Sequence, residues 1–277
     1  MEPDDQQPVS AIAPDIDPEK IEIIQNMCLF NDEFSTICYD GNIPAAEHTL
    51  RVITGRPSLK VNSVKAQFVL PNLKGHGVRF DVYATTDQQR YDVEIQRTDE
   101  DASPLRARYN SSMIDANTLR KGTKPQNLPE TYVIFITEND VLGAGLPLYH
   151  ADRYIVELGK QLDDKAHIIY VNGKYDGDDP VGQLMRDFRA RDTDTMSDSP
   201  LRETAIRFKH TEGGLMKMSK TIEEYTEKKI AEGRDKWKAE GTMNTLKSLV
   251  KKNVITLADA AKEAGMTPEA FKKMAML

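Results

Sequence analysis

The feature that most constrains the fold of this chain is a pair of alternating segments within residues 77–97, GVRFDVYATTDQQRYDVEIQR. Apolar and polar residues alternate one by one along residues 78–83, and the same pattern returns along residues 91–96. Period-two alternation is typical of strands with one buried face. A polar loop, residues 85–90, separates the two segments. The sequence therefore predicts a β-hairpin here.

The length of the loop predicts which residues of the hairpin face each other. A turn centred on residues 87–88 places Asp81 opposite Glu94 and Tyr83 opposite Asp92. Directly opposed Cβ atoms lie about 4.5–5.5 Å apart, and like charges at that distance destabilise a sheet. A divalent cation between the carboxylates would remove this repulsion, and oxygen ligands suit Mg²⁺. The alternative is a solvated polar face with a chance carboxylate pair, on which Asp92 either supports the site or is merely solvated.

Composition indicates a globular protein of the cytoplasm. Of the 277 residues, 39% are hydrophobic and 29% are charged, and no apolar run approaches the about 20 residues that span a bilayer. The acidic, Pro-rich first twenty residues do not resemble a signal peptide. Cys28 and Cys38 fit neither a metal spacing nor a disulfide framework, so we expect two inert thiols in a reducing compartment. We therefore expect no membrane partner.

Charge is distributed unevenly along the chain. The net charge is −7, yet residues 200–277 contain 16 Lys or Arg and 11 Asp or Glu. A basic C-terminal third would suit contact with nucleic acid. Solvated helix faces of mixed charge give the same balance, so this feature alone does not decide the function.

The remaining elements indicate an α/β fold. A helix, three strands, a helix and a buried strand follow one another, and this order predicts a mixed central sheet flanked by helices. The predicted helices are 44–54, 103–120, 180–191, 201–250, 256–264 and 267–274, and the predicted strands outside the hairpin are 64–70, 131–137, 153–158 and 167–171.

Four regions follow from this pattern. We expect a disordered acidic segment over residues 1–20, a core over 21–200, a charged helical arm over 201–245 and a small helical unit over 246–277. The last unit is either a helix-turn-helix or a plain helical hairpin, because its two predicted helices are very short.

The hairpin also carries a motif. Residues 81–96 fit D-x12-E-x-Q, a variant of the D…(D/E)-x-K signature of PD-(D/E)XK nucleases. The longer string VRFDVYA…RYDVEIQR…RARYNSSMID…LPETYVIFIT resembles the PD-(D/E)XK nuclease family transposases, also called recombination-promoting nucleases, over roughly residues 28–240. This resemblance implies a restriction-endonuclease-like core with a helical C-terminal extension.

The resemblance further implies a DNA endonuclease that hydrolyses phosphodiester bonds with Mg²⁺ or Mn²⁺, in recombination or mobile-element activity. Asp81 and Glu94 match the metal-binding carboxylates, and the backbone carbonyl of Ile95 would complete the metal's ligands. Glu47 matches an acidic residue that aids metal or water binding, although an ordinary surface glutamate is the alternative.

The helix after the hairpin supplies candidate substrate-binding residues. Arg106 and Tyr109 would hold the phosphate, since an Arg fork suits that geometry. Packing of the helix on the sheet is the alternative role, above all for Tyr109.

The sequence departs from the signature at Gln96, where many members of the superfamily have Lys. A neutral amide can position a water molecule but carries no charge to offset that of the phosphate. The alternative function is therefore a catalytically weak or inactive nuclease-like module that binds DNA or protein. We expect a homodimer, because an amphipathic arm and the cleavage of two strands both suit one. RNA as a substrate stays open.

Overall fold

The computed structural model describes residues 16–72, 75–251 and 256–275. The chain divides into two compact units, Met1–Thr221 and Ile222–Leu277. Most of the segment expected to be disordered, residues 1–15, lies outside the described residues. The helices are α1 (Pro18–Gln25), α2 (Asp32–Tyr39), α3 (Ile43–Thr54), α4 (Pro104–Thr118), α5 (Pro180–Arg189), α6 (Pro200–His210), α7 (Glu212–Lys251), α8 (Leu257–Glu263) and α9 (Pro268–Ala275). The strands are β1 (Ser63–Leu70), β2 (Val78–Thr85), β3 (Gln89–Gln96), β4 (Glu130–Thr137), β5 (Leu148–Ala151), β6 (Tyr154–Ile155), β7 (Lys160–Gln161) and β8 (Ala166–Asn172).

Six strands of the first unit form one mixed sheet in the order β1-β2-β3-β4-β8-β5. Strands β1, β2 and β3 are antiparallel, β3, β4 and β8 are parallel, and β5 returns antiparallel to β8. Of the parallel strands, β4 and β8 are mostly apolar, as expected where both faces of a sheet are covered, whereas β3 carries Asp92 and Glu94. The predicted mixed sheet with flanking helices is confirmed.

The predicted hairpin register holds over four pairs, from Thr85–Arg90 through Tyr83–Asp92 to Val82–Val93. The ladder ends there, so Asp81 and Glu94 are not themselves a ladder pair. The cause is local, because the backbone N–H of Ile95 donates to the Asp81 carboxylate over 3.0 Å instead of to the backbone of β2. The expected facing of Asp81 and Glu94 is therefore replaced by a contact through a third side chain, described below.

Helix α4 covers the sheet beside the end of the hairpin. The helix predicted over residues 103–120 is capped at its start, where the Ser103 hydroxyl accepts from the backbone N–H of Arg106 and Pro104 occupies the first turn. Apolar residues of the helix pack on β2 and β4, and each such burial contributes about 1.5–3 kcal/mol. The two clusters beneath the helix contain Val78, Phe80, Met113 and Ile114, and Ala102, Ala107, Val133, Phe135 and Tyr170.

The predicted strand over residues 153–158 is wrong for most of its length. Only Tyr154–Ile155 is extended, and Val156–Leu158 is a 3-10 turn. Val156 is 85% exposed, so the alternating apolar residues have no sheet face to cover. The edge position beside β8 belongs instead to Leu148–Ala151, for which the sequence predicted no strand.

The single helix predicted over residues 201–250 is two helices, α6 and α7, divided at Thr211. Thr211 has extended backbone angles, and its hydroxyl caps α7 by accepting from the backbone N–H of Gly214 at 3.1 Å. A Cβ on Gly214 would lie 1.9 Å from the carbonyl oxygen of Arg207, so only glycine fits this close approach of α6 and α7.

The second unit has a small core of its own. Leu246, Ala260, Ala261 and Phe271 are buried together, and Thr256 forms a capping box at the start of α8. Two short helices around a turn at Gly265 match the predicted pair of helices, and the choice between a helix-turn-helix and a plain helical hairpin stays a prediction. Within the described ranges, no helix combines the length and the apolar character that crossing a bilayer requires.

Candidate active site

Three carboxylates meet at the carboxyl end of the hairpin. Asp81 projects from β2, and Asp92 and Glu94 project from one side of β3 because a single residue lies between them. Asp92 and Glu94 are 0% exposed, and Asp81 is partly buried. Buried carboxylates are rare unless they are paired or bind a cation, so this cluster is the chemically distinctive site of the first unit.

Gln96 joins two of these carboxylates. Its Nε2 lies 3.2 Å from Oδ2 of Asp81 and 3.0 Å from Oε2 of Glu94. The same Asp81 oxygen accepts from the backbone N–H of Ile95. Gln67 approaches the other oxygen at 3.5 Å from a backbone with a φ of 49°, a conformation that is unusual in a strand. Amide donors thus hold Asp81 in place from three directions.

Asn110 of α4 joins the other pair. Its Nδ2 lies 2.8 Å from Oδ2 of Asp92 and 3.1 Å from Oε1 of Glu94. The remaining oxygen of Asp92, Oδ1, is buried and has no hydrogen-bond partner among the described residues. The sequence placed Asp92 correctly on the polar face of the hairpin, but the alternative that it is solvated is wrong.

Arg106 lies over the cluster, as the sequence predicted for this helix, but its guanidinium contacts a carboxylate. Its Nη2 lies 2.5 Å from Oε2 of Glu94, and its Nη1 donates to the carbonyl of Asp101 at 3.2 Å. About a third of the side chain, 32%, is exposed. Arg106 therefore reaches from solvent to the buried carboxylates, and phosphate binding would require it to leave Glu94.

Burial raises the pKa of all three carboxyl groups. For Asp92 burial brings the pKa to about 7, against the hydrogen bond from Asn110. The pKa of Glu94 lies well above its usual range because of burial and then the charges of Asp92 and Asp81, with Arg106 opposing. The pKa of Asp81 is raised by burial and lowered by the Ile95 N–H bond, while Asp32 raises it further. Arg106 and the hydrogen bonds therefore offset only part of the cost of burying the charged forms of these groups.

The donor set fits a divalent cation. The guanidinium of Arg106 pairs with Glu94 alone of the three carboxylates, and a buried Asp92 oxygen lacks a partner among the described residues. A bound cation would satisfy this pattern, because carboxylate oxygens are the ligands that Mg²⁺ prefers. Over residues 16–72, 75–251 and 256–275, however, no three His, Cys, Asp or Glu side chains form a group arranged around one metal position. Any cation would therefore be held by a pair of carboxylates together with other oxygens.

Glu47 is not in contact with this cluster. Its carboxylate pairs with Arg51, accepts from the backbone N–H of Val61 at 3.0 Å and lies 3.7 Å from Nζ of Lys60. These contacts join α3 to the segment that leads into β1. On the preceding helix α2, the charge of Asp32, in the first turn, adds to burial in raising the pKa of Asp81.

Sequence reasoning missed Asp32 because it predicted no helix over residues 32–39. Asn31 at the N-cap and the acidic pair Asp32 and Glu33 in the first turn are the signals that could have indicated one. Asn110 lies one turn after Arg106 on α4, but nothing in the sequence indicated its two carboxylate contacts.

Tyr109 supports a loop next to the site. Its hydroxyl donates to the carbonyl oxygen of His76 and accepts from Nδ2 of Asn72 at 3.1 Å. The side chain is 40% exposed. Tyr109 therefore links Asn72 and His76 to α4, and its predicted phosphate contact stays a prediction.

One protein-family model matches the hairpin and the elements around it. A model described as PD-(D/E)XK nuclease family transposase matches residues 59–174, less than half of the chain. The matched segment contains Asp81, Glu94, Gln96 and Arg106, but neither Asp32 nor Glu47. Comparison with curated proteins and with solved structures gives no match. Residues 59–174 are therefore similar to the PD-(D/E)XK nuclease family transposases.

Proposed function

We propose that this protein is a DNA endonuclease that hydrolyses phosphodiester bonds with Mg²⁺ or Mn²⁺. The observation that carries the proposal is the convergence of Asp81, Asp92 and Glu94 within the family segment, with burial that raises the pKa of each. Perturbed carboxyl groups of this kind concentrate at functional sites.

Each site residue has a role in this proposal. Asp81, Glu94 and the carbonyl of Ile95 hold the cation, which would polarise the scissile phosphate and acidify an attacking water molecule. The Gln96 amide orients that water, in the place where related nucleases use Lys. Arg106 exchanges Glu94 for the phosphate, since both offer its fork paired oxygens.

The contacts change which acidic residue we propose as an aid to metal or water binding. We assign to Asp32 the role that the resemblance suggested for Glu47, because Asp32 acts on Asp81 while Glu47 is engaged by Arg51 and Val61. Replacing Asp32 with Asn should lower cleavage, whereas Glu47→Gln should chiefly lower stability. Cleavage rates and thermal unfolding of both variants distinguish the two roles, and the opposite order would restore Glu47.

The test of the main proposal is cleavage of supercoiled plasmid with Mg²⁺ or Mn²⁺. The wild type should nick the plasmid, and Asp81→Asn should lower the rate by about 100-fold or more, because it removes a cation ligand. Asp163→Asn is the matched control, since this aspartate is exposed and its φ of 58° suits Asn as well. Equal cleavage by the wild type and Asp81→Asn refutes the proposal.

A second function is favoured by a separate observation. Arg106 and Gln96 both donate to Glu94, so the site is filled by protein groups, as in a nuclease-like module that binds DNA or protein without cleaving it. Calorimetric titration with Mn²⁺ separates the two functions. Heat that is lost in Asp81→Asn supports the enzyme, and no heat from the wild type supports the binding module.

The proposal includes DNA as the substrate and a homodimer as the working form. Cleavage of both strands of a duplex is simplest with two copies of the site related by symmetry. Light scattering of the full chain with and without duplex DNA should give twice the mass of 31.2 kDa. A monomer in both conditions contradicts the dimer but leaves the hydrolytic proposal intact.

A further inference from the structure

The hairpin formed by β6 and β7 exposes large apolar side chains. It follows β5, the last strand in the order of the main sheet, and forms a separate two-stranded sheet. Its turn and its second strand are exposed throughout. We call four of its side chains the apolar tip, and their exposed fractions run from 49% to 85%: Tyr154, Val156, Leu158 and Leu162.

Polar contacts at the base hold the hairpin in place. The backbone N–H of Leu162 donates to the carbonyl of Arg153 at 2.8 Å, and the Arg153 guanidinium pairs with Asp164. Asp152 lies 2.6 Å from Nδ1 of His167 on β8. A two-stranded hairpin alone in water is only marginally stable, and exposed apolar groups that cluster mark interaction sites. The apolar tip is therefore a surface that another surface should cover.

The charges at the tip indicate which surface fits. Between Tyr154 and Leu162 the charged residues are Glu157 and Lys160, and neither takes part in an ion pair within the described ranges. A single lysine beside a glutamate attracts phosphates and anionic lipids weakly. A patch with one charge of each sign is instead complementary to a copy of itself, because two-fold symmetry brings the glutamate of one copy to the lysine of the other.

We propose that two copies of this chain associate through the apolar tip. The inference rests on the homodimer of the proposed function and names the surface of contact. The apolar side chains of the two tips cover each other, and Glu157 of each copy faces Lys160 of the other. Exposed pairs of this kind add little to stability, but like charges in their place repel. The carboxylate cluster lies on β2 and β3, which β4 and β8 separate from β5, so the contact uses no residue of the site.

The first test is sedimentation velocity of the full chain over a range of protein concentrations. Leu158→Asp places a charge in the contact and should raise the dissociation constant of the dimer by about 10-fold or more. Leu105→Asp is the matched control, because Leu105 is 67% exposed against 69% for Leu158 and lies in the first turn of α4, where an acidic residue is favoured. Equal dimer affinity in the wild type and Leu158→Asp overturns this surface but leaves the dimer and the hydrolytic proposal standing.

A pair of charge variants tests a second copy as the occupant. Glu157→Lys and Lys160→Glu each place like charges across the two-fold axis, so each protein alone should associate more weakly than the wild type. An equimolar mixture of the two should recover the association, because opposite charges then face each other. No recovery in the mixture overturns the inference.

Hydrogen exchange of residues 154–162 identifies the other occupants. Protection should rise with protein concentration in the wild type and should not rise in Leu158→Asp. Protection in a monomer would mean that another segment of the same chain covers the tip, and protection only with duplex DNA would make DNA the occupant. Either result overturns the inference, as does a wild type that is monomeric at every concentration, and plasmid cleavage tests hydrolysis independently of all three.

Discussion

Glu94 is the residue for which Arg106 and a bound cation would compete. It is fully buried, its pKa is raised first by burial and then by two neighbouring carboxylates, and it forms an ion pair with Arg106. A buried charge without its partner is strongly destabilising, whereas the pair itself adds little to stability. Arg106 therefore acts on Glu94 in the same way that a bound cation would.

This competition gives a prediction for Arg106→Gln. Without metal, the variant should lose about 1–3 kcal/mol of unfolding free energy, a value below that of a fully buried pair because Arg106 is partly exposed. Added Mg²⁺ should raise its melting temperature more than it raises that of the wild type. Arg108→Gln, on the exposed side of the same helix, is the control. An equal Mg²⁺ effect on all three proteins would contradict the competition.

Gln96 gives a second prediction for a single residue. Because its amide touches both Asp81 and Glu94, Gln96→Ala should lower the cleavage rate by about 10- to 100-fold. DNA affinity, measured by fluorescence anisotropy, should stay within a few-fold of the wild type. Full activity in Gln96→Ala would show that the amide has no part in positioning water.

At the scale of elements, strand β1 is distorted where it passes Asp81. Gln67 has a φ of 49°, and the ladder between β1 and β2 omits the pair Gln67–Asp81 while continuing on both sides. Such a conformation costs a non-glycine residue of order 1 kcal/mol or more. The distortion coincides with the side chain that Gln67 directs at Asp81.

Two substitutions test this distortion. Gln67→Gly should keep or raise the free energy of unfolding, because glycine adopts a positive φ without strain. Gln67→Val should lower it by about 1–2 kcal/mol, because a β-branched residue tolerates this region poorly. Chemical denaturation measures both values, and a Val variant as stable as the Gly variant would mean that the strand is regular in solution.

The first residues of β3 and β4, at the end of the strands away from the carboxylate cluster, are joined by hydrogen bonds to Glu130. We call this group, formed by Glu130 with Arg56, Gln89 and Tyr132, the clamp. Arg56 approaches its two oxygens at 3.1 and 3.2 Å, and Tyr132 donates at 2.7 Å. Burial would raise the pKa of Glu130, but the hydrogen bonds from Arg56, Tyr132 and Gln89 outweigh it and bring the pKa to about 2. Between pH 4.5 and about pH 2, Glu130 is therefore still ionised in the folded protein, whereas it is mostly protonated in the unfolded chain.

Stability from the clamp should consequently be complete above the ordinary pKa of 4.5 and should be lost as the pH falls towards about 2. Glu130→Gln should reduce this acid sensitivity, and Glu157→Gln, at an exposed position, should not. Thermal unfolding followed over this pH window gives the comparison. Identical acid profiles for wild type and Glu130→Gln would contradict the clamp.

The sequence predicted the elements whose pattern is local and strong. The hairpin register, the Ser103 cap and the buried strand over residues 131–137 all follow from alternation, capping chemistry or a continuous apolar run. Short elements defined by tertiary contact were missed, among them Asp32–Tyr39 and the four-residue edge strand Leu148–Ala151. Their residues lack a period long enough to separate them from loops.

The site follows the same division. The motif placed Asp81, Glu94 and Gln96 together, and those contacts are present. Two features of the site depend on how α4 packs on the sheet, and no local sequence pattern contains that information. They are the end of the β2–β3 ladder at Val82–Val93 and the hydrogen bonds from Asn110 to Asp92 and Glu94.

At the scale of the whole molecule, the chain divides into units of different character. The first, Met1–Thr221, contains the sheet and the carboxylate cluster, and the second, Ile222–Leu277, has its own small core. Within the second unit, residues 243–277 contain six Lys and three Asp or Glu, a balance of +3. Basic helical units of this kind add affinity for nucleic acid through phosphate contacts.

Removal of residues 243–277 should therefore weaken binding to duplex DNA and reduce the dependence of affinity on salt, because fewer phosphates are contacted. The thermal unfolding of the first unit should change little, since its core lies elsewhere. Anisotropy titrations at several salt concentrations measure the affinity for DNA and its dependence on salt. Unchanged affinity and an unchanged salt slope would remove nucleic acid as the partner of this segment.

The central claim is that Asp81 and Glu94 share a divalent cation, and anomalous diffraction from crystals grown with Mn²⁺ tests it most directly. The account predicts an anomalous peak within coordination distance of oxygens from both carboxylates, with Arg106 displaced from Glu94. Arg106 still bonded to Glu94 at saturating Mn²⁺, with no peak beside Asp81, would contradict it.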